Sequence, residues 1–122
     1  MNGEAATILV LDDEPSVLQF AERVLSRSGY RVLLAADAET AWQFFERGEM
    51  EIHLVVSDVT MPGMSGAQLV GRIQQNSPAT RALLMSGAAD AELDVGLPFL
   101  AKPFTPQDLV AKVGQLAAGN GH

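Results

Sequence analysis

Short, unbroken apolar runs recur along this chain, and four of them end in polar residues. Ile8-Leu9-Val10-Leu11 runs into Asp12 and Asp13. His53-Leu54-Val55-Val56-Ser57 runs into Asp58, Leu83-Leu84-Met85 into Ser86, and Phe99-Leu100-Ala101 into Lys102. Stretches with apolar residues at three- and four-residue spacing lie between the runs. Strands that are apolar throughout, rather than at alternate positions, are covered on both faces. Combined with a strand–helix order, this predicts a parallel, doubly wound sheet. The C-terminal ends of such strands share one edge, where ligands bind. Three carboxylates, a hydroxyl and an amine are therefore expected to converge. That set can hold a divalent cation and a phosphoryl group, with Asp58 as candidate nucleophile.

The individual elements follow from local signals. Strands are expected at 7–11, 31–35, 53–57, 81–85 and 98–101. Residues 14–28 read as a helix with Pro15 in its first turn, apolar Val17, Leu18, Ala21, Val24 and Leu25 on one face, and Gly29 as its stop. Asp37 can cap a second helix ending near Arg47 and Gly48, Ser65 a third running to about Gln75, and Thr105 a last one with Leu109, Val113 and Leu116 on its inner face. A Pro/Gly turn is expected after Asp58. Only Gly87 to Gly96 separate the end of the fourth strand from the approach to the fifth. A complete crossover needs at least about 10–12 residues. Asp90 to Val95 can make a turn or two, so the fourth helix is expected to be shortened or absent.

Composition removes several function classes. The 122 residues suit one domain, expected over 7–117 with flexible termini at 1–6 and 118–122. There is no cysteine, which excludes thiolate chemistry and a disulfide framework. A net charge of -7 argues against direct nucleic-acid binding. No apolar run approaches the roughly 18 residues of a membrane span. The N-terminus lacks the regions of a signal peptide, so the expected location is cytoplasmic.

Each candidate site residue also has a plainer reading. Asp13 stands where an aspartate caps a helix. Lys102 must either snorkel out or find an anion, which can be a phosphate or a structural aspartate. Ser86 alone reads as a turn residue; opposite Asp58 it becomes a hydroxyl donor to a phosphoryl oxygen. Phe99 reads as core on composition, although its place beside the short crossover keeps a switch role open. Trp42, Phe44, Phe45 and Phe104 read as packing residues. His53 and His122 receive no role. Clustered carboxylates repel one another; a hard cation relieves this, and an oxygen-only donor set favours Mg²⁺.

Taken together, Ile8-Leu9-Val10-Leu11-Asp12-Asp13-Glu14-Pro15, Val56-Ser57-Asp58-Val59-Thr60-Met61-Pro62-Gly63-Met64-Ser65-Gly66, Leu84-Met85-Ser86-Gly87 and Phe99-Leu100-Ala101-Lys102-Pro103-Phe104 resemble the receiver domain of two-component response regulators, in order and spacing, over about residues 7–117. The resemblance implies a flavodoxin-like, five-stranded parallel sheet in the order 2-1-3-4-5 with helices on both faces. It implies that Asp58 takes a phosphoryl group from a phosphohistidine of a sensor histidine kinase or a histidine phosphotransfer domain. Asp13, Asp58 and the backbone carbonyl of Thr60 would hold Mg²⁺, with Asp12 helping directly or through water. Lys102 would offset charge on the phosphoryl oxygens. Ser86 would then move toward the phosphoryl group and Phe99 turn inward. The Lys102–Pro103 bond is usually cis in the family and is expected cis here.

The chain is thus expected to be a phosphoacceptor with slow autodephosphorylation rather than an enzyme, and a monomer or weak dimer without membrane insertion. The short interval between Ser86 and Lys102 departs from the family. Members that dimerise through helix 4, strand 5 and helix 5 use a face this chain is expected to lack. Thr60 and Ala88, at positions that tune hydrolysis, carry no charge and no strong base, so the phosphoryl lifetime is not expected to be unusually short. No output domain is seen in the sequence. The expectation is a stand-alone receiver or, favoured by the wording of the last two motifs, the terminal receiver of a hybrid histidine kinase. A haloacid dehalogenase-type phosphatase is opposed by Asp12-Asp13 coming first and by Thr60 standing where that enzyme needs an acid. A flavodoxin-like cofactor binder is opposed by the acidic first loop. A degenerate receiver has no support, since all five site residues are present.

Overall fold

Pairing of the apolar runs builds one parallel sheet. The computed structural model describes residues 6–48, 51–61, 64–87 and 98–117. Strands β1 (Thr7–Leu11), β2 (Arg31–Ala35), β3 (Leu54–Asp58), β6 (Arg81–Ser86) and β7 (Phe99–Ala101) lie in the order β2-β1-β3-β6-β7, with every pair parallel. Counted as five main strands this is 2-1-3-4-5, as the resemblance implies. Helices α1 (Pro15–Arg27), α2 (Ala38–Arg47), α3 (Gly66–Asn76) and α4 (Pro106–Ala117) cover both faces.

Strand alternation divides the core in two. Ile8, Val10, Leu54, Val56, Leu83 and Met85 pack against Ala21 and Leu25 of α1 and Leu109 and Val113 of α4. Leu9, Leu11 and Val55 pack on the other face against Ala41 of α2 and Leu69 and Ile73 of α3. This double coverage is why the strands read as continuous apolar runs. Trp42, Phe44 and Phe45 pack half-buried against the second cluster, and Phe104 against the first.

The helix ends follow the local chemistry. The Asp37 side chain accepts the Thr40 N–H at 2.8 Å. Ser65 with Gln68, and Thr105 with Asp108, each form a reciprocal pair of side-chain–backbone bonds at a helix entry. After α1, Gly29 adopts φ 98°, while its N–H bonds Ser26 and the Tyr30 N–H bonds Leu25. A residue with a Cβ is strained in that left-handed cap. The Lys102–Pro103 peptide is cis.

Two features differ from the sequence reading. Where only a turn was expected after Asp58, Thr60–Met61 (β4) and Met64–Ser65 (β5) pair as an antiparallel ribbon. Strands of two residues are too short to leave a periodic signal. His53, given no role, accepts the Thr7 N–H on Nδ1 at 2.9 Å and ties the opposite edge of the sheet. The expected short fourth helix, Ala88, and the expected flexible termini apart from Ala6 lie outside the described residues.

Gly71 offers a first test. It is exposed in the interior of α3, and an added Cβ would meet nothing within 4 Å. Gly71→Ala is expected to stabilise the protein by about 0.5–1 kcal/mol by removing a glycine from a helix interior. The readout is a higher urea midpoint at unchanged m-value. A midpoint at or below wild type would contradict the open environment of this position.

Candidate functional site

The site begins where β1 ends. Asp12 is the next residue, and strand alternation turns it to the α1/α4 face with Ile8 and Val10. It is wholly buried, at 0% exposure. Its backbone N–H bonds Ala35 on β2 at 3.2 Å. One carboxylate oxygen accepts the Glu14 N–H at 2.9 Å and the other accepts from Lys102 Nζ at 3.0 Å. Both oxygens of this buried carboxylate are thereby satisfied, as a buried charge requires.

The helix-cap reading of Asp13 does not hold. The N-cap of α1 is Glu14, in extended conformation, and no side chain caps it. Pro15 at the first helical position biases the preceding residue toward extended backbone and so places the cap one residue later than Asp13. Asp13 is instead exposed above Asp12. Asp58 ends β3 opposite Met85, half-buried, with the Val59 N–H bonded to the Met85 carbonyl at 2.9 Å. Single carboxylate oxygens of Asp12, Asp13 and Asp58 all lie within 4.8 Å of one another.

Lys102 follows β7, the edge strand. Its backbone N–H bonds the Ser86 carbonyl at 2.7 Å, which fixes where its stem starts. From there Nζ reaches Asp12 and lies 3.6 Å from Asp58 Oδ2, an ion pair too long for a hydrogen bond. Burial pulls the Lys102 ammonium down, but the Asp12 hydrogen bond and the charges of Asp12, Asp58 and Glu14 outweigh it and raise its pKa above the usual 10.5. The ammonium is therefore held charged. Three carboxylates against one ammonium leave two negative charges, which one dication neutralises. The donors are all oxygen, the set that hard divalent cations take, and they range from buried Asp12 to exposed Asp13. These residues fit Mg²⁺.

Ser86 ends β6 on the same edge, buried at 3% exposure and paired with Ala101. Thr60 opens β4, two residues past Asp58. Phe99 starts β7 and is 45% exposed, so the core reading of Phe99 fails. The reason lies in its strand: among the described residues β7 pairs with β6 alone, and Phe99 and Ala101 are exposed around half-buried Leu100. Beside Lys102 a groove of about 450 Å³ opens between Ser16, Val17 and Phe20 of α1 and the loop Pro103–Phe104.

Two participants had drawn no attention in the sequence. Glu14 adds its charge to the field on Lys102. Ser57, fully buried, donates to the Asp58 carbonyl at 2.9 Å. A serine closing an otherwise apolar strand was the available signal.

A family model for the response regulator receiver domain matches residues 8–114. The transcriptional regulatory protein YvrH of Bacillus subtilis is 35% identical over 90% of this chain, which spans 48% of that protein. The sensor kinase CckA of Brucella abortus is 33% identical over 92% of this chain and 12% of its own length. The chain thus spans about half the length of its curated relatives, or less. The crystal structure of a response regulator receiver domain protein from Clostridium thermocellum superposes with a TM-score of 0.82 at 30% identity, covering 89% of this chain and 91% of that one.

Proposed function

Because this chain belongs to the response regulator receiver domain family, we propose that it accepts a phosphoryl group on Asp58 from a phosphohistidine, carried by a sensor histidine kinase or a histidine phosphotransfer domain. One observation carries this reading: the Asp12, Asp13 and Asp58 oxygens within 4.8 Å of one another, with the Lys102 ammonium between Asp12 and Asp58. In the proposed step an Asp58 oxygen forms a bond to phosphorus as the phosphorus–nitrogen bond of the donor breaks. The freed imidazole takes a proton from solvent.

The chain's residues then have distinct tasks. Asp13, Asp58 and the Thr60 carbonyl would hold Mg²⁺. Asp12, whose two oxygens accept from the Glu14 N–H and from Lys102, would help directly or through water. Mg²⁺, when bound, neutralises charge that builds on the phosphoryl oxygens. Lys102 does the same from the other side as a point charge. The Ser86 hydroxyl bonds the product, and Phe99, exposed in this state, turns inward to report it. Hydrolysis is slow, and a monomer or weak dimer suffices. Among the described residues no helix is long and apolar enough to cross a membrane, and a cytoplasmic setting is part of this reading. The likeness to a sensor kinase supports an origin as the receiver of a hybrid histidine kinase.

The test is intact mass spectrometry after incubation with acetyl phosphate or phosphoramidate. A single phosphoryl adduct that needs Mg²⁺ and vanishes with EDTA is the expected result. No adduct, together with no binding of beryllofluoride in Mg²⁺, would turn the reading to a phosphorylation-independent scaffold.

A further inference from the structure

We propose that Ser65 and Gln68 are positioning residues for the cation site, acting through the ribbon that carries Thr60. The inference rests on the reading above in which the Thr60 carbonyl is a Mg²⁺ ligand. It starts from the register of the ribbon. Thr60 pairs with Ser65, and Met61 with Met64, in an antiparallel ladder. Only two residues of chain separate Met61 from Met64. Across so short a connection the flanking residues form the hydrogen-bonded pair, and such pairs alternate with non-hydrogen-bonded ones. Thr60 and Ser65 are therefore a non-hydrogen-bonded pair. Their N–H and C=O groups turn outward, away from each other.

The outward direction is visible at Ser65. Its N–H donates to Gln68 Oε1 at 3.1 Å, and its hydroxyl accepts the Gln68 N–H at 3.1 Å. By the same alternation the Thr60 carbonyl is released from the ladder, as a cation ligand needs to be. A slip of one residue would turn that carbonyl back into the ribbon.

Two residues per strand hold a ribbon together weakly. The anchor is α3. Ser65 closes β5 and is also the N-cap of α3, where it forms a capping box with Gln68. Leu69, Val70 and Ile73 seat that helix on the sheet, all buried. Val70 shares a cluster with Val59, the residue between Asp58 and Thr60. The reciprocal Ser65–Gln68 bonds thus tie the strand partner of Thr60 to a helix fixed on the core. Neither residue is a proposed ligand, yet together they set the direction of one.

Ser65→Ala, Gln68→Ala and Ser65→Thr test this, with Mg²⁺ affinity measured by calorimetry and adduct formation from acetyl phosphate alongside. Gly29→Ala is the control for stability lost elsewhere, because an alanine is strained at the φ of 98° found there. In both alanine variants of the pair the Mg²⁺ dissociation constant is expected to rise about 10-fold, the low end of the scale for losing a partner that orients a metal ligand. Ser65→Thr, which retains the hydroxyl, and Gly29→Ala are expected to bind Mg²⁺ as wild type does. Unchanged affinity in either Ser65→Ala or Gln68→Ala would reduce the pair to an ordinary helix cap and overturn the proposal. So would an equal loss in Gly29→Ala. If wild type binds Mg²⁺ but takes no phosphoryl group, the acceptor reading fails, while the affinity ratios still decide the role of Ser65 and Gln68. If wild type binds no Mg²⁺, both fail.

Discussion

Asp58→Asn is expected to abolish the phosphoryl adduct while leaving the protein folded. The amide is nearly the same size but offers no anionic oxygen to attack phosphorus, so acceptance should fall to background. No neighbour can take over easily. Both Asp12 oxygens are engaged, by the Glu14 N–H and the Lys102 ammonium. Asp13 is exposed to water, while the Lys102 ammonium pairs with Asp12 and Asp58. Stability should move by less than about 1 kcal/mol, because the change removes one attraction, to Lys102, along with repulsions from two carboxylates. Intact mass of wild type and variant, side by side with their urea midpoints, checks both halves. An adduct of wild-type yield in Asp58→Asn would assign the acceptor elsewhere.

Lys102→Met has the second largest expected effect, and it is twofold. The stem is preserved and the charge is lost. Adduct formation at saturating Mg²⁺ is expected to drop by roughly 10²–10³, the scale for removing one group that stabilises developing charge. Without a divalent cation the variant should also lose about 2 kcal/mol of stability. Wholly buried Asp12 then lacks its counter-ion, and the cost stays below that of a fully buried pair because Lys102 is partly exposed. Added Mg²⁺ should restore part of that stability, since it supplies positive charge to the same carboxylates. A loss of rate without any change in stability would mean that Asp12 has another partner.

The wild-type ion pair has a pH signature of defined sign. The folded-state pKa of Lys102 is raised above its ordinary 10.5. Its stabilising contribution is therefore complete below that ordinary value and is lost as pH climbs through the raised one. Lys102→Met should lack this alkaline component, seen as converging urea midpoints for the two proteins at high pH.

The sheet was legible because a strand in a parallel sheet needs apolar residues on both faces, and that requirement is written in consecutive residues such as Ile8 to Leu11. Helix entries at Asp37, Ser65 and Thr105 were legible for the same reason: a cap is satisfied three residues away. The polar residues after each run marked one edge of the sheet, and so the candidate site, before any geometry was known. Charges at strand ends are conspicuous, whereas a buried serine among them is not.

Other features depended on groups far apart in the chain. Lys102 and Asp12 stand 90 residues apart, and their meeting requires β7, β6, β3 and β1 to lie in that order. Phe99 looked like core by its chemistry, yet its exposure follows from belonging to the edge strand. The division of labour between neighbours Asp12 and Asp13 came from Pro15 shifting the helix cap and from alternation burying only Asp12. Sequence alone thus determined which elements form and which chemistry they bring to one edge, because those rest on local backbone and solvation requirements. The tertiary structure decided which carboxylate is buried and which cation neutralises it, because both depend on strand order and alternation.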